Sequence, residues 1–560
     1  MDTLDLLEPE LLYTRELKQK HHDNVVNYFN KLVEKAKTDK DANKATCSKY
    51  YKECAKLEVL NKKSRNLNIL KGLFIFLCLL IAGIFLLIFV YKPKRKALDA
   101  EISKQQQIIQ ELLDEANAQM ASLNYLFESS IPAKIMQTTT PLIQMDRIFD
   151  VSKYEMLREK YGMWDNSDKD SSTLDLQSGS ILGNPFVVFK DKVKSTVMQR
   201  YEGTLSISYY VGYGKDRRLV HEVLHAHVDK PKPVYSNDTY LVYGNEAANH
   251  LSFSRTPSNI NTFKSEADID KYVRKHEKDL TKLAEKAMKK GGTYTPLGNS
   301  EFELFFGGLD RDNEVEYRLL FTPLAQKSML QVLKSKVGYG DDFRFVKDKG
   351  LNVITSAHSQ GSTLFVDADS FRGFDFEKVE DNFITYNENY FKALFFDFAP
   401  LLSIPLYQQH KPHEYIYRDL YGSNFNCFEH EVVANKYNKS IFAPINAKTD
   451  VIIKTLFDKK SEDSDVVNVK SYSHDMIQRT EIVTVWGGDG HPHGVPVHWI
   501  EYVPVEGGGQ FTMGDLGNDD EVSFKSLGQN DVIYAKGLVS TIGQSLNVDI
   551  NYLKSTMKKD

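Results

Sequence analysis

At 560 residues, with 41% hydrophobic and 26% charged side chains, the chain is too long for one core and too apolar to be disordered, so at least two folded units are expected. Its 71 basic and 76 acidic residues leave a net charge of −5, which excludes the domain-wide basic field of a nucleic-acid-binding protein. Four cysteines (Cys47, Cys54, Cys78, Cys427) exclude a disulfide scaffold, and the spacing of Cys47 and Cys54 is not a C-x-x-C redox or zinc pair.

The chain opens with a tail, residues 1–68, rich in Glu, Lys and Leu, with one proline at Pro9. This pattern predicts helices broken near "TDKDAN", residues 38–43. Next comes "KGLFIFLCLLIAGIFLLIFVYKPKRK", in which Gly72–Tyr91 carries no charge and Lys71 and Lys92 bracket the run. Twenty such residues at 1.5 Å each match a hydrocarbon core, so residues 69–91 are expected to be one transmembrane helix. Lys56, Lys62, Lys63, Arg65 and Lys71 on one flank balance Lys92, Lys94, Arg95, Lys96 and Lys104 on the other, so flanking charge leaves the orientation open. A basic tail ahead of a span tends to stay inside, which favours a cytoplasmic N-terminus with the large domain outside.

Residues 97–128 form the next element. Leu98, Ile102, Gln105, Ile109, Leu112, Ala116, Gln119, Leu123 and Leu126 follow alternating steps of four and three, the register of a coiled-coil seam. The spacing fits a parallel homodimer stalk, and it fits equally an amphipathic helix packed on its own domain.

From about Asp150 the pattern turns to short alternating runs, and residues 150–262 are expected to form a β-rich domain. "GTLSISYYVGYGKDRRLVHEVLHAHV" suggests two strands joined at Gly212–Asp216. Within it HEVLH spells the zinc-peptidase motif H-E-x-x-H. On a helix, His221 and His225 would share a Zn²⁺, Glu222 would act as general base, and Glu246 would supply a third ligand. Alternation of Leu224, Ala226 and Val228 against His221, Val223, His225 and His227 favours a strand, where the two histidines stand about 13 Å apart. Pro231 and Pro233 are expected to end that element.

Residues 263–560 are expected to form an α+β domain. A charged helix is predicted over Lys264–Lys290, stopped by Gly291–Gly292, and another begins at Thr322 as cap with Pro323 in its first turn. Over residues 295–370 the chain carries Phe302-Glu303, the acidic stretch Asp310–Glu314, Arg318 and the turn Phe321-Thr322-Pro323, followed by a helix. In these residues it resembles an uncharacterised family of bacterial membrane-anchored proteins with a domain of unknown function. The resemblance implies a membrane anchor and an α+β domain, and it implies no activity.

Two further motifs invite chemistry. "AHSQG", residues 357–361, resembles the nucleophile elbow of α/β-hydrolases; a strand precedes Ser359 in "LNVIT", but "STLFVDADSF" predicts a second strand rather than the required helix, and a hairpin turn is expected. "GGDGHPHGVPVHW", residues 487–499, offers His491, His493 and His498 as metal ligands, against which stands an ordinary polar Gly/Pro loop. The chain contains no phosphate-binding or dinucleotide fingerprint.

Together these features predict an α+β protein: helical tail, one transmembrane helix, helical stalk with coiled-coil spacing, and a large strand-rich region. The expected function is a single-pass, membrane-anchored binding or scaffold protein of the cell membrane, without a catalytic residue, cofactor or metal. Its expected partners are the lipid bilayer, another protein and, through the stalk, a second copy, but no nucleic acid. The alternative is a membrane-anchored zinc metallopeptidase built on HEVLH, and a further one is a component of a cell-envelope transport machine.

Overall fold

The computed structural model describes residues 7–77, 86–289, 291, 294–361, 364–365, 368–409, 425–438, 440–461, 464–515, 532–535 and 538–542. These fall into two compact units. One comprises Arg15–Thr140 with Val366–Lys392; the other comprises Met1–Thr14, Pro141–Phe365 and Ala393–Asp560.

The first unit is helical, with α1 (Lys18–Ala36), α2 (Lys40–Leu77), α3 (Lys92–Tyr125) and α4 (Ile131–Thr139). The break at residues 38–43 has a local cause. Lys37 adopts a left-handed φ of 51°, and Asp39 Oδ1 then accepts the Asp41 and Ala42 amides at 3.1 and 3.0 Å, capping α2. Val25, Phe29, Met120, Leu123, Phe127 and Ile135 meet Phe371, Phe376 and Phe383 in one core.

The heptad stripe on α3 faces α2 of the same chain. Asn43 Nδ2 donates to Ala116 O (3.4 Å), Gln105 Nε2 to Glu53 Oε2 (2.7 Å), Arg95 to Ser64 Oγ (2.7 Å), and Tyr91 OH to Asn68 Oδ1 (3.2 Å). One residue number climbs as the other falls, so α2 and α3 form an antiparallel hairpin. Polar layers such as these fix the register of a helical pair. Of the two packings that the spacing fits equally, the stripe makes the one with a helix of its own chain.

This hairpin corrects the membrane span. Asn68 bonds Tyr91, and Lys71 lies 5.7 Å from the Tyr91 ring centroid. A straight helix of the predicted length would hold those ends about 30 Å apart. Among the described residues no helix is long and apolar enough to cross a membrane, and residues 78–85 of the predicted span lie outside them. The transmembrane helix does not hold, and the single-pass anchor and cell-membrane localisation drawn from it fall with it.

The second unit holds two antiparallel sheets. The first contains β1 (Ile143–Met145), β2 (Ser171–Ile181), β3 (Asn184–Val211), β4 (Arg218–Gly244), β5 (Ser252–Arg255), β6 (Phe343–Asp348) and β7 (Leu351–Ser356), in the order β1-β2-β3-β4-β7-β6-β5. The second contains β8 (Ile452–Ser461), β9 (Ser464–Trp486), β10 (Pro492–Asp515), β11 (Val532–Ala535) and β12 (Leu538–Ile542), in the order β11-β12-β10-β9-β8. Pairing of β4 with β7 runs across the expected boundary at 262/263 and joins the β-rich and α+β segments in one sheet.

Further helices along the chain include α5 (Glu266–Lys289), α6 (Pro323–Lys334), α7 (Ala357–Gly361), α8 (Phe376–Leu402) and α9 (Cys427–Lys436). Helix α6 begins as the sequence indicates, with Thr322 Oγ1 accepting the Ala325 amide. Around it, the residues that carry the family resemblance form a buried ion network. Arg311 meets Glu303 at 2.8 Å with both side chains fully buried, and its Nε bonds Glu314 at 2.8 Å. Helix α9 is buried on nearly every side, and its polar residues are matched one by one: Glu429 Oε1 accepts the Phe149 amide (2.8 Å), and Glu431 Oε1 accepts the Thr173 amide (2.6 Å).

Candidate functional site

Strands β3 and β4 far outrun their sheet. β2 pairs with β3 only up to Val193, and β7 pairs with β4 only from Leu241. The remainder, Lys194–Val211 against Arg218–Tyr235, is a free two-stranded ribbon roughly 55–60 Å long. β9 and β10 repeat the arrangement, because β8 pairs with β9 only to Tyr472 and β12 meets β10 only from Phe511. A lone ribbon is marginal in water. Here the two ribbons pack face to face around Leu224, Ala226, Val495 and Val497, flanked by Leu205, Ile207, Val483 and Val485. Gly203 is required at the crossing, since a Cβ there would collide with the Pro496 carbonyl oxygen.

The direction of every backbone group in this arm follows from three bonds. Lys194 N–H donates to Asp170 O (2.7 Å), on the β2 side of β3. Thr239 N–H donates to Gln360 Oε1 (2.8 Å), on the side of β4 away from β3. His474 O accepts Lys448 N–H (2.9 Å), on the side of β9 away from β10. In an antiparallel ladder the groups alternate between neighbours. With unbroken register along both ribbons, even-numbered residues of β3, β9 and β10 and odd-numbered residues of β4 point their N–H and C=O to the outer edge.

Every proline of the two ribbons' paired residues sits on such an outward position: Pro231 and Pro233 on β4, Pro492, Pro496 and Pro504 on β10. Proline there removes no ladder bond. This corrects the expectation that Pro231 and Pro233 end their element, because β4 continues through both to Gly244.

HEVLH lies on β4. His221 and His225 point to the exposed face, where His221 Nδ1 shares a 2.8 Å hydrogen bond with Ser208 Oγ, and Glu222 points to the opposite face. Glu246 lies beyond the strand and pairs with Lys160 at 3.0 Å. The zinc set of His221, His225, Glu246 and the base Glu222 is therefore not assembled, because the strand spaces the two histidines about 13 Å apart and turns Glu222 to the other face. Among the described residues no three metal-ligating side chains converge.

The histidine-rich segment is the tip of the second ribbon. Asp489 accepts the His491 amide (3.0 Å) and His493 Nε2 (2.9 Å), which holds its carboxyl below the usual carboxylate range. His498, on the other face from His493, bonds Thr480 Oγ1 (2.8 Å). His493 and His498 are thus directed to opposite faces, and the bond to Asp489 at His491 is made by its backbone amide. Sequence reasoning missed the relation between the two motifs: Glu222 Oε2 accepts the Gly488 amide at 2.8 Å, pinning the tip of one ribbon to the side of the other. The outer parts of the arm leave large side chains in water. Tyr213 is 96% exposed, Trp486 69%, Ile482 63% and Tyr210 60%, with Arg217 stacked 4.1 Å from the Tyr210 ring.

Three buried clusters are the competing candidates. "AHSQG" does run from a strand into a short helix, α7, which corrects the expected hairpin turn. Ser359 is nonetheless buried, and its hydroxyl donates to Asp397 (2.5 Å) rather than to a histidine. A serine nucleophile needs that histidine and an open face. His358 Nδ1 and Nε2 face acceptors, Asp342 Oδ2 (2.7 Å) and the Ala393 carbonyl (3.1 Å). Burial opposes its charge, but Asp342 and Asp397 outweigh this and hold its pKa above the ordinary value. Glu431 is pushed up to about 7 by burial, against the pull of Lys454, Asn166 and the Thr173 amide. Lys347 falls to about 7 by burial, with its Nζ donating to the carbonyls of Ala247 and Lys349. These groups lie inside the core and lock loops to it.

No family model, curated protein or solved structure matches this chain.

Proposed function

We propose that the protein is a binding or scaffold protein that uses the paired-ribbon arm to hold another protein. The observation that carries this reading is the contrast along the arm. Its inner faces are sealed by aliphatic side chains, while Tyr210, Tyr213, Ile482 and Trp486 stay in water. Tyrosine, tryptophan and arginine are the side chains that dominate protein interfaces, and large exposed apolar groups are costly without a partner. A sealed interior makes the arm stiff, so its outer groups are presented with little ordering cost on binding.

Site-specific photo-crosslinking of the full chain in its native cell tests this. Probes at Tyr213 and Trp486 are expected to yield the same protein adduct, and a probe at Met288, exposed on α5, is not. Replacing Tyr210 with Ser while probing at Tyr213 is expected to abolish the adduct. Equal labelling from Met288, or an adduct indifferent to Tyr210, rejects the reading.

A further inference from the structure

Asn166 lies in the loop that leads into β2, Glu431 on α9 and Lys454 on β8, and their side chains close a ring of hydrogen bonds. Lys454 Nζ donates to Asn166 Oδ1 (2.8 Å) and to Glu431 Oε1 (3.2 Å), and Asn166 Nδ2 donates to Glu431 Oε2 (2.6 Å). Glu431 is also held from behind, because its Oε1 accepts the Thr173 amide at a register break in β2. The Glu431 side chain is fully buried, and that of Lys454 is 9% exposed. An amine, a carboxamide and a carboxyl so arranged are a reactive set as well as an ion pair. The bond to Oδ1 puts Nζ roughly 3–4 Å from Asn166 Cγ, close to an attack distance. The carboxyl touches both the nitrogen that would attack and the nitrogen that would leave, the two atoms between which a proton must pass. Burial keeps out the water that would compete for Cγ. It also pushes Glu431 up to about 7, so its carboxylic acid form is accessible near neutral pH.

We propose that Lys454 and Asn166 join in an intramolecular isopeptide bond, with Glu431 as the acid–base catalyst. A proton first moves from the Lys454 ammonium to Glu431 along their direct contact. The neutral Nζ then attacks Cγ of Asn166, leaving the electron pair of the C=O bond on Oδ1. Glu431 delivers a proton to Nδ2 and takes one from Nζ, each across a hydrogen bond already in place. The pair on Oδ1 restores the carbonyl, the Cγ–Nδ2 bond breaks, and ammonia departs with that bond's electrons. One C–N bond forms and one breaks, Glu431 ends with the proton it first received, and no oxidant, reductant or cofactor takes part. The product joins residues 288 apart in sequence and ties the loop ahead of β2 to the edge strand of the second sheet. A covalent link over that span restrains the unfolded chain, which an ion pair cannot do.

Intact-mass spectrometry of the full chain, with peptide mapping, tests this. The wild type is expected to weigh less than its sequence mass by one ammonia, and its digest to contain a branched peptide carrying both Asn166 and Lys454. Glu431→Gln, which keeps the side chain's shape but cannot shuttle the proton, is expected to lose the branched peptide and regain the ammonia. Lys454→Arg, which keeps the charge but removes the attacking amine, is expected to do the same. Circular dichroism establishes that each variant is folded. Linear peptides for both Asn166 and Lys454 in the wild type overturn the proposal and leave an ordinary buried ion pair, and that result stands whether or not a variant folds. A branched peptide that persists in folded Glu431→Gln overturns the assigned role of Glu431.

Discussion

Glu222 and Gly488, 266 residues apart in sequence, share a 2.8 Å hydrogen bond that ties the first ribbon to the tip of the second. A Cβ at Gly488 would run into the Tyr209 hydroxyl, so any side chain there requires Tyr209 to move aside. The bond gives the glutamate of HEVLH a structural partner on the second ribbon. Replacing Glu222 with Ala is expected to cost about 1 kcal/mol, since the group is only half-buried, and to speed hydrogen exchange at Gly488. Hydrogen-exchange mass spectrometry of the 487–491 segment checks this, and unchanged exchange there would refute the assigned role.

Gly203→Ala probes the ribbon crossing. The added methyl meets the Pro496 backbone, so the ribbons must separate, at about 2 kcal/mol. Protection of Val495 and Val497 amides is expected to fall while that of β6 and β7 is kept, which limited proteolysis and hydrogen exchange resolve.

His21 gives the helical unit a pH dependence. Its Nε2–H donates to the Asn387 carbonyl (3.1 Å), Nδ1 meets Thr139 Oγ1 (2.9 Å), and the ring stacks on Phe391. Burial lowers its pKa to about 4. The folded state thus binds the proton later than the unfolded chain, whose histidine titrates near 6.5. The associated stability is complete above about pH 6.5 and is lost as pH falls to 4, by about 3 kcal/mol at most. Denaturant melts across that interval are expected to show this slope, and His21→Phe to flatten it.

Lys347 acts in the alkaline range. Burial lowers its pKa to about 7, so the unfolded chain binds its proton first, near 10.4. Stability is therefore greatest at alkaline pH and declines by roughly 4 kcal/mol at most as pH falls from about 10 to 7. Subtracting the profile of Lys347→Met from that of the wild type isolates this contribution. A flat difference would contradict it.

Glu303→Gln leaves the buried Arg311 with Glu314 as its carboxylate partner. A loss of about 3 kcal/mol in urea unfolding is expected. A neutral outcome would mean that Arg311 is hydrated.

Much of the local architecture is legible in the sequence. The Thr322 cap with Pro323 and the break at residues 38–43 depend on neighbours within a few residues, and both appear where their chemistry places them. The heptad steps from Leu98 to Leu126 are legible as a stripe that meets another helix, but periodicity does not say which chain supplies it. The apolar run at 72–91 misleads because composition cannot encode the Asn68–Tyr91 contact that brings its ends together. Pro231 and Pro233 mislead for a related reason. Whether a proline breaks a strand depends on which way its nitrogen points, and that is set by the register with β3, which pairs Pro231 with Met198 and Pro233 with Thr196. The joining of Glu222 to the 487–491 turn has no local signal at all.

The alternation that parks every proline on a rim also governs how the arm is able to change length. Inserting one residue in β4 between Thr239 and Pro233 would swing both rings into the inner ladder and turn Leu224 and Ala226 out to water. Additions or deletions within the arm are tolerated only in multiples of two, matched on both strands of a ribbon, so related chains should differ in reach by such increments while their proline rims stay in phase.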